Sequence, residues 1–153
     1  MIYEYKEGNI LSCSSNILLC NVDDVGTLKG LCWQFCQRFD GFQDFYINAC
    51  KTNVFSSTCI LSKDFEDPYT KSIKKVVCVR CKDWEGNSDY LGLKLGLFEL
   101  KEQLLCLDSK VIVAVPPLAY TSKHNSLSKA TIEGLLKEVF WNTSCLFWLY
   151  NFR

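Results

Sequence analysis

Three short segments of this chain gather charges, amides and glycines in patterns that chemistry can use. The first is Asn21-Val22-Asp23-Asp24-Val25-Gly26-Thr27-Leu28-Lys29-Gly30. Carboxylates such as Asp23 and Asp24 can carry protons, and glycines ahead of a helix let an anion approach backbone N–H groups. The second is Arg80-Cys81-Lys82-Asp83-Trp84-Glu85-Gly86-Asn87-Ser88, in which Lys82 becomes a nucleophile if its pKa is lowered. The third follows Pro116-Pro117 and runs Leu118-Ala119-Tyr120-Thr121-Ser122-Lys123-His124-Asn125. It holds the only histidine, with no Asp or Glu between residues 109 and 132.

Each segment also has a plainer reading. Asp and Gly are common turn residues, so the first segment also suits an ordinary strand-to-helix turn. The second suits a polar loop with Trp84 lying on the surface. A lone histidine without a carboxylate is more often exposed and inert than catalytic. The pair Cys78-Val79-Arg80-Cys81 has half of a zinc spacing and no second pair. The two cysteines fall out of phase on a strand, as packing residues do, and no metal is expected.

The elements that must position these segments are legible from periodicity. Residues 2–6 form a short β-rich stretch, and residues 16–22 form a continuous apolar run suited to a strand buried on both faces. Leu31, Cys32, Phe35, Cys36 and Phe39 recur at helical spacing over 29–39, and Asp40-Gly41 ends that helix. Residues 42–72 are ambiguous; a strand near 53–61 and loops around Pro68 fit best. Strands are predicted at 75–81, 110–115 and 145–150. Helices are predicted at 89–106, largely buried because its leucines cover two sides, and at 126–140, capped by Ser126 or Ser128. Gly92 and Gly96 allow the first of these two helices close approach to a sheet. This alternation implies a three-layer α/β/α fold with a mixed, largely parallel sheet. Ligands of such sheets bind beyond the carboxyl ends of the strands, where the three segments lie.

Composition bounds the rest. The chain has 153 residues, 48% hydrophobic and 22% charged, enough for one domain with a packed core over residues 1–153. Lys plus Arg equals Asp plus Glu at 17 each, so no net field draws the chain to nucleic acid or an anionic membrane. The one basic cluster, Lys71, Lys74 and Lys75, reads more simply as a solvated stretch leading into a strand. No apolar run approaches the length of about 18 residues that spans a membrane. Ten cysteines, most inside apolar runs and with no signal-peptide pattern ahead of them, point to free thiols in a reducing cytoplasmic compartment.

Four stretches in order carry a resemblance: Gly8-Asn9-Ile10-Leu11, Lys29-Gly30-Leu31, Lys82 through Ser88, and Val113-Ala114-Val115-Pro116-Pro117-Leu118. The chain resembles the macro domain family over nearly its whole length. Within that family it is similar to the ADP-ribosyl glycohydrolases that act on terminal ADP-ribose on proteins or, as antitoxins, on DNA. The resemblance implies adenine near Asn9 and Ile10 and Asn21 at the strand end beside the ligand. It implies a diphosphate on backbone N–H groups of residues 26–30 and 119–123, which include Gly26, Lys29, Gly30, Ala119, Tyr120 and Thr121. The distal ribose then faces Asp23 and Lys82.

The chain also departs from the family. Asn9 stands where the family has an aspartate; its amide oxygen accepts a hydrogen bond without charge assistance. Leu28 replaces a phosphate-loop glycine, where its side chain is expected to crowd the diphosphate. The position of the lysine nucleophile falls on Cys81 or Lys82. Ala119-Tyr120-Thr121 replaces a Gly-Cys-Gly loop, and the catalytic acid falls near Lys123. Two readings stay open. One is an ADP-ribose-binding domain that recognises ADP-ribose or an ADP-ribosylated macromolecule, with or without removing it through Lys82, Asp23 or Asp24. The other is a degenerate macro-like fold acting through surface residues such as Leu28, Trp84, Tyr120 and Phe147-Trp148-Leu149-Tyr150. Neither requires a cofactor.

Overall fold

The structure is a computed structural model that describes residues 1–83, 85, 87–107, 110–118 and 127–152. Six strands form one sheet: β1 (Ile2–Lys6), β2 (Ile17–Val22), β3 (Ile60–Glu66), β4 (Ile73–Arg80), β5 (Ile112–Val115) and β6 (Leu146–Tyr150). Their order is β1-β6-β5-β2-β4-β3, with every pairing parallel except the β3–β4 hairpin. Helices α1 (Gly30–Arg38) and α2 (Phe42–Lys51) cover one face, and α3 (Tyr90–Leu105) and α4 (Lys129–Phe140) cover the other. The α/β expectation holds, and β2 lies inside the sheet with apolar residues on both faces, as its unbroken apolar run implies.

The two cores are built differently. The α3/α4 side is aliphatic, with Leu93, Leu97, Leu100, Val113, Leu136 and Leu149 among its members. Gly96 lets α3 approach the sheet, since a Cβ there would lie 3.1 Å from Ile60 and 3.3 Å from the Cys59 carbonyl. The α1/α2 side is aromatic. Phe35, Phe39, Phe42, Tyr46 and Phe65 pack with neighbouring ring centroids 5.6 to 6.5 Å apart.

Three expectations need correction. The ambiguous stretch 42–72 holds a whole helix, α2, whose buried Phe42, Tyr46 and Ala49 recur at helical spacing. The strand expected near 53–61 lies later, at β3. Asn53 takes a left-handed conformation, and the hydroxyls of Ser56 and Ser57 donate to the carbonyls of Asn53 and Val54. Those local bonds compete with a ladder and leave a short 3-10 helix at 54–56 instead. Finally, α3 buries only one side; Leu91, Leu95, Phe98 and Leu105 face solvent.

The lysine cluster is dispersed. Lys74 is buried and donates to the carbonyls of Cys13 and Ser15, while Lys75 pairs with Asp64. All ten thiols are free. Among the described residues no helix is long and apolar enough to cross a membrane.

Candidate functional site

β1, β6 and β5 end side by side, and β2 and β4 end next to them. A cleft of about 430 Å³ opens at the first three ends, lined by Gly8, Asn9, Ile10, Leu31, Gln34, Pro116, Pro117, Tyr150 and Asn151. Small-molecule sites fall in the range of roughly 300–1,000 Å³. Asn9 and Ile10 both line this cleft. Asn9 caps the short 3-10 helix at 10–12, its Oδ1 accepting from the Leu11 N–H at 3.0 Å. A carbonyl oxygen has two lone pairs, so one remains for a ligand donor.

The loop carrying Asn9 is fastened to the end of β6. The Gly8 N–H donates to Asn151 Oδ1 at 3.1 Å, and Asn151 Nδ2 donates back to the Gly8 carbonyl at 2.8 Å. Asn151 has φ of 60°, a left-handed conformation that asparagine tolerates better than most residues. Sequence points to Tyr150 only as part of an exposed aromatic end and does not point to Asn151; the one available signal is a polar residue directly after an apolar strand.

Leu31 lies both in the cleft wall and in the first turn of α1. The leading N–H groups of a helix have no partner inside it, and Lys29, at the N-cap, makes no side-chain capping bond. Positive potential from Gly30, Leu31 and Cys32 is therefore presented at the rim of the cleft. Lys29 is exposed there.

Asp23 shapes the loop leading into that helix. Its buried Oδ1 accepts from the N–H groups of Val25, Gly26 and Thr27 at 3.1 to 3.2 Å and from the Tyr46 hydroxyl at 2.7 Å. Burial alone would raise its pKa. Hydrogen bonds from Thr27, Tyr46 and the backbone outweigh burial and hold the carboxyl below its ordinary value. Tyr46, in the helix that sequence reasoning missed, is pushed upward by burial and by this carboxylate. Gly26 has φ of 82°, and a Cβ there would meet Ile47 at 3.1 Å, so the turn needs glycine. The Gly26 N–H, expected to face a diphosphate, is instead committed to Asp23. Leu28, expected to crowd the diphosphate, is half-buried and packed against the aromatic core.

Asp24 turns elsewhere. It pairs with Arg80 Nε at 3.4 Å, and Arg80 in turn holds Asp89 at 2.9 Å. It lines a separate pocket of about 90 Å³ with Cys50, Asn53, Phe55 and Ser56. Lys82 is half-buried just past β4, in an isolated bridge with Ser88. It lies within electrostatic reach of Cys32 in the first turn of α1. The Cys32 thiol is lowered, chiefly by a hydrogen bond from Cys20 against the opposing effect of burial; the Asp23 carboxylate pushes it up and the Lys82 ammonium pulls it down. Asp23, Cys32 and Lys82 thus share one neighbourhood.

Asn21 joins the strand ends. Its Nδ2 donates to the Pro117 carbonyl at 2.7 Å, and its Oδ1 accepts the Cys81 thiol at 3.1 Å. Cys78 and Cys81 belong to cores on opposite faces of the sheet, and no cluster of metal-binding side chains occurs among the described residues. Phe147, Leu149 and Tyr150 are buried, so of the aromatic end only Trp148 is partly accessible. Ala119, Tyr120, Thr121, Trp84, Lys123 and His124 lie outside the described residues.

No family model and no curated protein matches the chain in sequence. Solved structures do match it. The macrodomain of Mycobacterium tuberculosis DarG is 24% identical over 97% of each chain, with a TM-score of 0.80. The macrodomain of Thermus aquaticus DarG is 21% identical over 98% of each, with a TM-score of 0.79. Thermosipho africanus DarTG, solved in complex with ADP-ribose, is 18% identical over 97% of this chain and 41% of its own, with a TM-score of 0.77. The six-stranded mixed sheet between two pairs of helices is the macrodomain fold.

Proposed function

We propose that this chain binds ADP-ribose, free or attached to a macromolecule, in the cleft at the carboxyl ends of β1, β6 and β5. The observation that carries the reading is continuity. An apolar slot beside Asn9, Ile10, Pro117 and Tyr150 runs into the uncapped N-terminus of α1 through the shared residue Leu31. A flat base fits the slot, with Asn9 meeting its exocyclic amine, and a diphosphate fits the helix terminus. Gly30 and the two amides after it take the role that resemblance spread over residues 26–30, with Lys29 and Lys82 supplying positive charge. Asn21 holds the surrounding loops. The ADP-ribose complex of the similar Thermosipho africanus DarTG supports the same ligand.

Binding without turnover is the reading the carboxylates favour. Asp23 is committed to three backbone N–H groups and Tyr46, and Asp24 to Arg80. These existing partners support a reading in which neither carboxylate serves as the acid or base of a glycoside cleavage. Lys82 then orients the distal ribose rather than attacking it. Free thiols throughout favour a reducing, cytoplasmic setting. Calorimetric titration with ADP-ribose, with adenosine as the control, tests the reading. Saturable heat with ADP-ribose and weaker binding of adenosine are expected, and ADP-ribosylated protein or DNA incubated with the chain is expected to keep its modification.

A further inference from the structure

Helix α3 has two apolar faces. At about 100° per residue, Leu93, Gly96, Leu97, Leu100 and Leu104 point to the sheet, where they are buried. Leu91, Leu95, Phe98, Glu102 and Leu105 fall within roughly 80° of arc on the opposite side. The four apolar members of this second stripe are 63%, 48%, 39% and 63% exposed. Alternating steps of four and three residues are the spacing of the seam in a two-helix coiled coil. Isolated exposed leucines need no explanation, but an aligned stripe along a whole helix does.

The charges on either side of the stripe select its occupant. Lys94 and Lys101 flank one side, and Glu99 flanks the other. In heptad terms the lysines sit at g and the glutamate at e. An antiparallel second copy would set Lys94 against Lys101 of its mate. A parallel second copy sets Lys94 against Glu99 of its mate, five residues on, and the two-fold axis repeats the pair. Both side chains are already held in place, Lys94 by Glu138 at 2.8 Å and Glu99 by Thr58 and the Cys59 N–H at 3.0 Å. Their contribution is therefore a complementary field rather than a new set of hydrogen bonds.

We infer that the chain forms a parallel two-fold dimer through α3, with Leu91, Leu95, Phe98 and Leu105 as its seam. Glu102 meets its own copy across the axis, a like-charge contact that limits affinity. Because α3 starts at the carboxyl end of β4, this pairing leaves both clefts opening the same way.

Sedimentation equilibrium of the intact chain over a wide concentration range tests the inference. The mass is expected to rise from monomer to twice that value. Leu95→Asp is expected to abolish the rise while keeping the folded circular dichroism spectrum and a cooperative melt, since residue 95 lies outside both cores. Glu102→Leu is expected to move the midpoint to about tenfold lower concentration by removing a polar seam position. A wild-type chain that stays monomeric up to its solubility limit overturns the inference, as does a dimer that neither substitution alters.

Discussion

The Asn21 side chain donates to the Pro117 carbonyl at 2.7 Å, tying the end of β2 to the end of β5 across 96 residues of sequence. The same amide accepts the Cys81 thiol at 3.1 Å, so one side chain fixes three strand ends against each other. Asn21→Asp replaces the donor with an oxygen facing another oxygen. The expected cost is about 2 kcal/mol of stability, read by urea denaturation, together with at least tenfold weaker ADP-ribose binding. Unchanged affinity would show that the Pro117 loop takes no part in the site.

Asp23 acts on the loop before α1 as a fourfold acceptor. Asp23→Ala leaves three backbone donors and the Tyr46 hydroxyl without their partner, and a loss of about 2–3 kcal/mol is expected. Its folded pKa lies below the ordinary 3.8, so folding favours the ionised form. The stabilisation is fully present above that value and fades as pH falls through the lower folded one. Acid unfolding followed by tryptophan fluorescence should therefore show a component that Asp23→Asn removes. An identical acid profile in the variant would mean that the carboxylate charge does not hold the loop.

Asn9 is the position at which ligand specificity is most directly adjustable. Asn9→Asp keeps the cap on Leu11 and adds charge to the acceptor facing the base. Charge-assisted hydrogen bonds are stronger by enough to give roughly fivefold tighter ADP-ribose binding. A gain seen with ADP-ribose and not with ribose 5-phosphate places the base at residue 9. Equal effects on both ligands would place it elsewhere.

The thiols differ mainly in access. Burial pushes up Cys20, Cys78, Cys13, Cys50 and Cys59, and burial with the neighbouring Cys32 pushes Cys36 up to about 12. Cys106 is exposed at the end of α3. Alkylation at neutral pH, read by peptide mass spectrometry, should label Cys106 first and reach Cys20 and Cys78 only on unfolding. Fast labelling of Cys20 in the native chain would contradict the buried core beneath α1.

The sequence showed the sheet and the end of it that matters, because buried parallel strands read as unbroken apolar runs and α1 and α4 as clean helical periods. It did not show α2, although Phe42, Tyr46 and Ala49 carry the helical period, because aromatic and polar residues interrupt the apolar pattern around them. It placed β3 too early, since the hydroxyls at 56 and 57 bond locally and their effect on the backbone is invisible to hydrophobic periodicity. In α3, leucines on two sides read as burial on two sides, yet the sheet accepts only the face bearing Gly96. At the site, Asn9 and Ile10, named by motif order, line one cleft with Leu31 and Pro117. Tyr150 and Asn151 reach the cleft only because β6 pairs with β1, a relation between the two ends of the chain that no local pattern encodes.

The most direct test is a backbone amide chemical-shift map recorded while ADP-ribose is titrated into labelled protein. The account predicts saturable shifts at Gly8 to Leu11, Gly30 to Cys32, Leu118, Tyr150 and Asn151, and little change along the outer face of α3. Absence of shifts at millimolar ligand, or shifts confined to α3 and α4, would contradict it.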